Sequence, residues 1–245
     1  MLRFLAAASL ALFTLIASPA LADNHDNDRI KQLALDAILE NPEIIAEAIT
    51  ILRGRDEEKR LSDMRSKIDQ YRDQLENDPN APVLGNVDGD MIIVEFFDYN
   101  CPYCKSVAPD VLKLITDDQN IRLVYREWPI LGEDSVFAAR AALAAREQGK
   151  YEEFHWSLMR LRRANEESVL QAAAELGMDI DKLQRDMMAD EVNAHIQLSM
   201  QMASAIGFTG TPSFVMGDQI VPGAISLEEM QRIVENSRQS RPTAE

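Results

Sequence analysis

The chain is short of cysteine: among 245 residues only Cys101 and Cys104 occur, three apart. Two cysteines exclude a disulfide-stapled mini-fold and a four-cysteine zinc site. Basic charge is also scarce, with 25 Lys and Arg against 41 Asp and Glu and a formal net charge of −16. That deficit argues against a basic face for nucleic acid and against a polybasic membrane-surface segment. The three histidines, His25, His155 and His195, stand at no metal-ligand spacing from the cysteines. No internal repeat is visible, and beyond the first residues no apolar run is long enough to cross a bilayer of about 30 Å.

What is present suits a soluble globular protein: 46% hydrophobic and 27% charged residues, in a length that allows one ordinary domain and something more. Residues 1–22 read as a secretory signal, with Arg3 ahead of an apolar run, a break at Pro19 and a small-residue cleavage site at Ala20-Leu21-Ala22. The expected mature chain begins at Asp23 and works in the periplasm, where disulfides are permitted.

Residues 23–80 are expected to form a helical stalk. A helix from Arg29 to Glu40 is interrupted at Asn41-Pro42, because the residue before proline avoids the helical region. A second helix follows, then Gly54 and the six-residue charged run Arg55 to Arg60, read as a hinge. Leu61, Met64, Ile68, Tyr71 and Leu75 then recur at a/d spacing over two heptads. Such a stripe buries itself either against its own domain or against other copies. Its narrowness and charged flanks favour self-association.

Residues 81–245 read as an α/β domain with a helical insertion at about 133–206. Met91 to Phe97 (MIIVEFF) is a buried strand, Lys105 to Thr116 a helix, and Ile121 to Trp128 a second strand. Four helices are expected next, the last running from Ile180 to Ile206. A hairpin turns at Gly217-Asp218, and Ser226 with Glu229 caps the final helix.

The chemistry concentrates in Cys101-Pro102-Tyr103-Cys104, directly after a strand and opening a helix. A helix N-terminus offers free N–H groups and partial positive charge, which stabilise the thiolate that attacks disulfides. Cys101 is therefore the expected nucleophile and Cys104 the resolving thiol, while Pro102 occupies a first-turn position that needs no donor. Half a zinc site would need ligands the chain lacks, and a structural disulfide across so small a loop would stabilise little. Glu95, six residues earlier, stands inside the apolar strand. Either it faces solvent, or it is buried with a raised pKa and exchanges protons with the thiols; its apolar neighbours favour the second.

The stretches Val94 to Cys104 and Gly207 to Val215, with helices between, resemble the thioredoxin-fold DsbA family over roughly residues 82–238. The resemblance implies a thiol–disulfide oxidoreductase needing no cofactor beyond the Cys101–Cys104 disulfide. It implies that Glu95 matches the buried acid, that Pro212 is the cis-proline beside the cysteines, and that Thr211 presents its backbone to substrate peptide. Pro102-Tyr103 replaces the Pro-His of the strongly oxidising archetype, which implies a somewhat less oxidising pair. A helical segment ahead of Cys-Pro-Tyr-Cys is similar to the suppressor-of-copper-sensitivity protein C (ScsC-like) group, some of whose members are trimeric disulfide isomerases. The expected activity is thus a stalk-borne isomerase or reductase, a trimer by that resemblance. Its partners would be cysteine-containing secreted proteins and a membrane redox protein, with no nucleic acid. A monomeric dithiol oxidase is the first alternative and a copper-binding module the second. For the latter, a free amine at Asp23 with Asn24 and His25 supplies a square-planar nitrogen set for Cu(II) or Ni(II), a pattern that also arises by chance.

Overall fold

A computed structural model describes residues 24–240, so the expected leader lies outside the described residues. The chain divides into two compact units, Met1–Asp56 and Glu57–Glu245.

In the first unit, α1 (Asn24–Glu40) stops before Asn41-Pro42, and α2 (Glu43–Asn77) begins directly after the proline. Its large apolar side chains are exposed, among them Ile30 (63%), Leu33 (58%), Leu39 (69%) and Leu52 (56%). At Gly54, where a hinge is expected, α2 is one helix of 35 residues that runs through the glycine and the charged run. Ion pairs one turn apart, Glu57–Arg60 at 2.6 Å and Asp69–Arg72 at 2.9 Å, lie along it. Such pairs support a helix where no apolar periodicity does.

The second unit is built on a mixed five-stranded sheet of order β1-β3-β2-β4-β5. The strands are β1 (Val83–Gly85), β2 (Met91–Phe97), β3 (Ile121–Glu127), β4 (Ser213–Met216) and β5 (Gln219–Pro222). β2 and β3 run parallel, joined by the crossover helix α3 (Pro102–Asp117), and the remaining pairs are antiparallel. Strand β1 was not legible in advance, being three residues at an edge. It ends at Gly85, whose φ of 73° and close approach to the Ile121 carbonyl demand glycine.

Between β3 and β4 stand α4 (Glu133–Ala144), a 3₁₀ turn, α5 (Tyr151–Arg160), α6 (Glu166–Glu175), α7 (Ile180–Asp186) and α8 (Asp190–Ile206). The single helix expected from Ile180 to Ile206 is thus two. Asp190 and Glu191 open α8, where carboxylates suit the positive end of a helix. Helix α9 (Leu227–Gln239) is the last element among the described residues, and the Ser226 hydroxyl accepts from the Glu229 N–H as expected.

Alternation along β2 assigns its side chains to two cores. Ile93 and Phe97 join α3, α9 and the inserted helices, whereas Val94 and Phe96 face the other way. Cover for that second face comes from α8, through Met202, Ala203 and Ile206, and from α2, through Met64, Ile68 and Leu75. The stripe read as an oligomer seam is therefore spent on its own domain. Leu75 is 1% exposed and Ile68 2%, with Leu61 and Tyr71 packed alongside. A two-heptad stripe specifies burial, and the open sheet face meets that need within the chain. Charge fastens the helix end: Asp78 pairs with the fully buried Arg126 at 2.5 Å, and Arg126 donates to the Gln74 carbonyl at 3.0 Å. The second compact unit thus begins at Glu57, inside α2.

Candidate active site

Strand β2 ends at Phe97, and the turn Asp98-Tyr99-Asn100 delivers the chain to Cys101, the N-cap of α3, with Pro102 in its first turn. Asp98 sets this turn. Its Oδ1 accepts from the Asn100 N–H at 2.7 Å and the Ser135 hydroxyl at 2.7 Å, and its Oδ2 from the N–H groups of Ile130 and Leu131 at 2.8 and 3.0 Å. One buried carboxylate thus joins the strand end, the loop ahead of α4 and the start of α4.

Both cysteines are free thiols, Cys101 4% exposed and Cys104 fully buried. Their environments push them apart. The hydrogen bond from the Cys104 thiol, opposed by burial and helped by Thr211 and the N–H groups of Cys104 and Tyr103, holds Cys101 down to about 5. Burial raises Cys104 far above the ordinary thiol range, and its bond to Cys101 and the Glu95 charge add to that. At neutral pH the first sulfur is a thiolate and the second a proton-bearing thiol. Tyr103 stands 68% exposed at the surface of the motif.

Glu95 lies mid-strand on the α3 side of the sheet, in register with Tyr125 and Phe214 of the neighbouring strands. It is 2% exposed, so the solvent-facing alternative is excluded. Burial first, and the negative charge at Cys101 second, raise its carboxyl to about 8. Across from the thiols, the Thr211-Pro212 peptide bond is cis, and the Thr211 carbonyl lies 3.2 Å from Cys101 Sγ. The fold therefore gathers Cys101, Pro102, Tyr103, Cys104, Glu95, Thr211 and Pro212, from three separate elements, around one pair of sulfurs.

Of the N-terminal copper set, Asp23 lies outside the described residues, as do the side chains of Asn24 and His25. Among the described residues no cluster of His, Cys, Asp or Glu could hold a metal. His155 is buried, hydrogen-bonded through Nδ1 to the Tyr99 hydroxyl at 2.9 Å, and burial lowers it to about 3. His195 pairs with Glu127 at 2.6 Å in the buried cluster that contains Arg126 and Asp78.

Three residues of the site were not anticipated: Asp98, Asn100 and Lys105. The Asn100 amide donates to the Ala164 carbonyl at 3.1 Å and accepts from the Ala164 N–H at 2.8 Å. Lys105 Nζ donates to the carbonyls of Leu161 (2.6 Å) and Leu158 (3.3 Å), closing the C-terminal end of α5. Burial lowers the Lys105 ammonium, against the attraction of Asp98 and of both thiols. Asp98-Tyr99-Asn100 carried a turn signal, since Asp side chains bond the backbone two residues on. Nothing local announced partners more than 50 residues away.

Comparison with known proteins agrees with this geometry. Residues 92–235 match the DSBA-like thioredoxin domain, and residues 26–59 the copper resistance protein ScsC N-terminal domain. A solved thioredoxin-like oxidoreductase from Silicibacter pomeroyi DSS-3 is 59% identical, over 69% of this chain and 99% of that one, with a TM-score of 0.68. Proteus mirabilis ScsC in a transitional conformation is 26% identical, over 91% of this chain and all of that one (100%), with a TM-score of 0.66. Among curated proteins, Na(+)/H(+) antiporter NhaA 1 of Salinispora arenicola is 32% identical over 71% of this chain. The chain spans about a quarter (26%) of that relative's length, and among the described residues no helix is long and apolar enough to cross a membrane. A reactive thiol pair at a helix N-terminus, a buried acid below it and a cis-proline beside it, together with these matches, place the chain in the DsbA-like thiol–disulfide oxidoreductase family, with an ScsC N-terminal domain ahead of the catalytic unit.

Proposed function

We propose that the protein is a periplasmic disulfide isomerase and reductase that self-associates through its first unit, with a trimer as the favoured assembly. The observation that carries this reading is the set of exposed apolar side chains from Ile30 to Leu52, which a second and third copy would cover. The proposed seam thus lies on α1 and the first part of α2 rather than on Leu61–Leu75. Several catalytic units on one assembly raise the local concentration of thiols around a misfolded chain.

In the reaction, the Cys101 thiolate attacks one sulfur of a substrate disulfide. A Cys101–substrate disulfide forms, and the other substrate sulfur leaves as a thiolate and takes a proton. Either a substrate thiolate then attacks the substrate sulfur of the mixed disulfide, forming a rearranged substrate disulfide and expelling the Cys101 thiolate, or Cys104 attacks Cys101, closing the Cys101–Cys104 disulfide and expelling the substrate thiolate. The second route needs the Cys104 proton removed, and Glu95 accepts it. Cys101 raises Glu95 while it is a thiolate. Once Cys101 is in the mixed disulfide that charge is gone, so a larger fraction of Glu95 is ionised when the base is needed.

The second reading, a monomeric oxidase, is favoured by the low pKa of Cys101, about 5, because a stabilised thiolate makes the disulfide a stronger oxidant. Light scattering and refolding of a scrambled substrate separate the two. The chain starting at Glu57, which keeps Met64, Ile68 and Leu75 in place, should be monomeric and lose isomerase activity while still oxidising dithiols. Equal isomerase activity in both chains, or a monomeric full chain, gives the oxidase reading first place. Copper binding by Asp23-Asn24-His25 is a separate proposal, tested by Cu(II) titration of the chain with a free Asp23 amine.

A further inference from the structure

The two residues that flank the reactive motif grip the same loop. Asn100, just before Cys101, holds Ala164 by both its N–H and its carbonyl, and Lys105, just after Cys104, holds the Leu161 carbonyl. Between those anchor points the loop carries only Arg162 and Arg163. Both are exposed, and with Leu131, Asp134 and Asn100, the residue preceding the nucleophile, they line an open cavity of about 490 Å³. Its other wall hangs on the same turn: Asp98 accepts from the Leu131 N–H, and from the hydroxyl of Ser135, the residue after Asp134. Asp134 pairs with Arg163 at 2.6 Å, whereas Arg162 has no ion-pair partner among the described residues. The cavity thus contains one uncommitted guanidinium, on a loop anchored at both ends by part-buried hydrogen bonds, in a chain whose net charge of −16 otherwise repels anions.

We propose that this cavity is a carboxylate subsite, in which Arg162 receives an acidic side chain of the substrate polypeptide next to the disulfide that Cys101 attacks. This rests on the oxidoreductase reading and adds the substrate class to it. Arg163 is held by Asp134, so the site takes a single carboxylate. The guanidinium donates two parallel N–H bonds to that carboxylate, and exposed Leu131 offers apolar surface to its methylene stem. Because the cavity is open to solvent, the discrimination is modest and salt-dependent, about fivefold at low ionic strength.

The test uses the full chain and two disulfide-linked peptides identical except for Glu or Gln beside the reacting cysteine. The wild type should show about a fivefold higher kcat/KM for the Glu peptide, shrinking as salt is added. Arg162→Ala should bring the two peptides together, and Arg162→Lys should keep part of the preference as a point charge. Equal rates for both peptides in the wild type, or a preference that survives Arg162→Ala, overturn the subsite. Glutathione disulfide is the second probe: if Arg162→Ala slows its reduction while the peptides stay equal, the occupant is a small thiol's carboxylate and the polypeptide assignment falls. Absence of exchange with every probe instead refutes the oxidoreductase reading beneath it.

Discussion

Replacing Glu95 by glutamine removes a titration that the fold opposes, with a size and sign that follow from its burial. In the unfolded chain the carboxyl loses its proton near its ordinary value of 4.5, whereas in the folded, reduced protein it keeps it to about 8. Between these values the unfolded state releases a proton that the folded state retains, so stability falls as pH rises through that window. At 1.36 kcal/mol per unit, the full interval is worth about 5 kcal/mol. Glutamine does not titrate, and its amide replaces a protonated carboxyl of the same shape. Denaturant unfolding of the reduced protein should therefore show Glu95→Gln gaining on the wild type steadily above the lower value and levelling off beyond about pH 8. In oxidised protein the gain should be smaller, because the Cys101 charge that adds to the shift is gone. Single-turnover kinetics supply the functional half: resolution of the mixed disulfide should slow, with the initial attack unchanged. Parallel stability curves for the two proteins across the window would refute a buried, proton-holding Glu95, and unchanged resolution would refute the relay.

Cys101→Ser should abolish exchange, and Cys104→Ser should accumulate mixed disulfides with substrate on non-reducing gels; faster alkylation of Cys104 than Cys101 at acidic pH would reverse the roles. Leu75→Ala should cost about 2–5 kcal/mol, because it opens a cavity between α2 and the sheet, and urea unfolding of the chain starting at Glu57 measures it. A loss near zero would mean that α2 does not cover the sheet in solution. Lys105→Met removes a cation whose charge reaches both thiols, so ultraviolet titration should find the Cys101 pKa above that of the wild type. An unchanged titration would leave Lys105 as a helix-end donor only.

Much of the site was legible because its determinants are local. A buried strand followed by Cys-Pro-Tyr-Cys needs only the neighbouring residues to put a thiol at a helix N-terminus, and the Gly217-Asp218 turn and the Ser226 cap are contained in a few positions. Glu95 was legible through its apolar neighbours, since alternation leaves a mid-strand residue of a two-sided sheet nowhere exposed to go. Thr211 and Pro212 came from resemblance rather than from spacing. The stripe from Leu61 to Leu75 marks a different limit: periodicity states that a face will be buried, and the partner that buries it is a property of the whole packing arrangement. The sheet face of Val94, Phe96 and Val215 supplied that partner, and the catalytic unit gained a helix that sequence reading had assigned elsewhere. The same holds for Asn100 and Lys105, whose bonds reach residues 53 to 64 positions away. Sequence determined the chemistry and the strand that bears it, because those depend on contiguous residues. Only the tertiary structure decided which surfaces remain open and which charges surround the nucleophile, because hydrogen bonds and burial between distant segments exist only once the chain has folded.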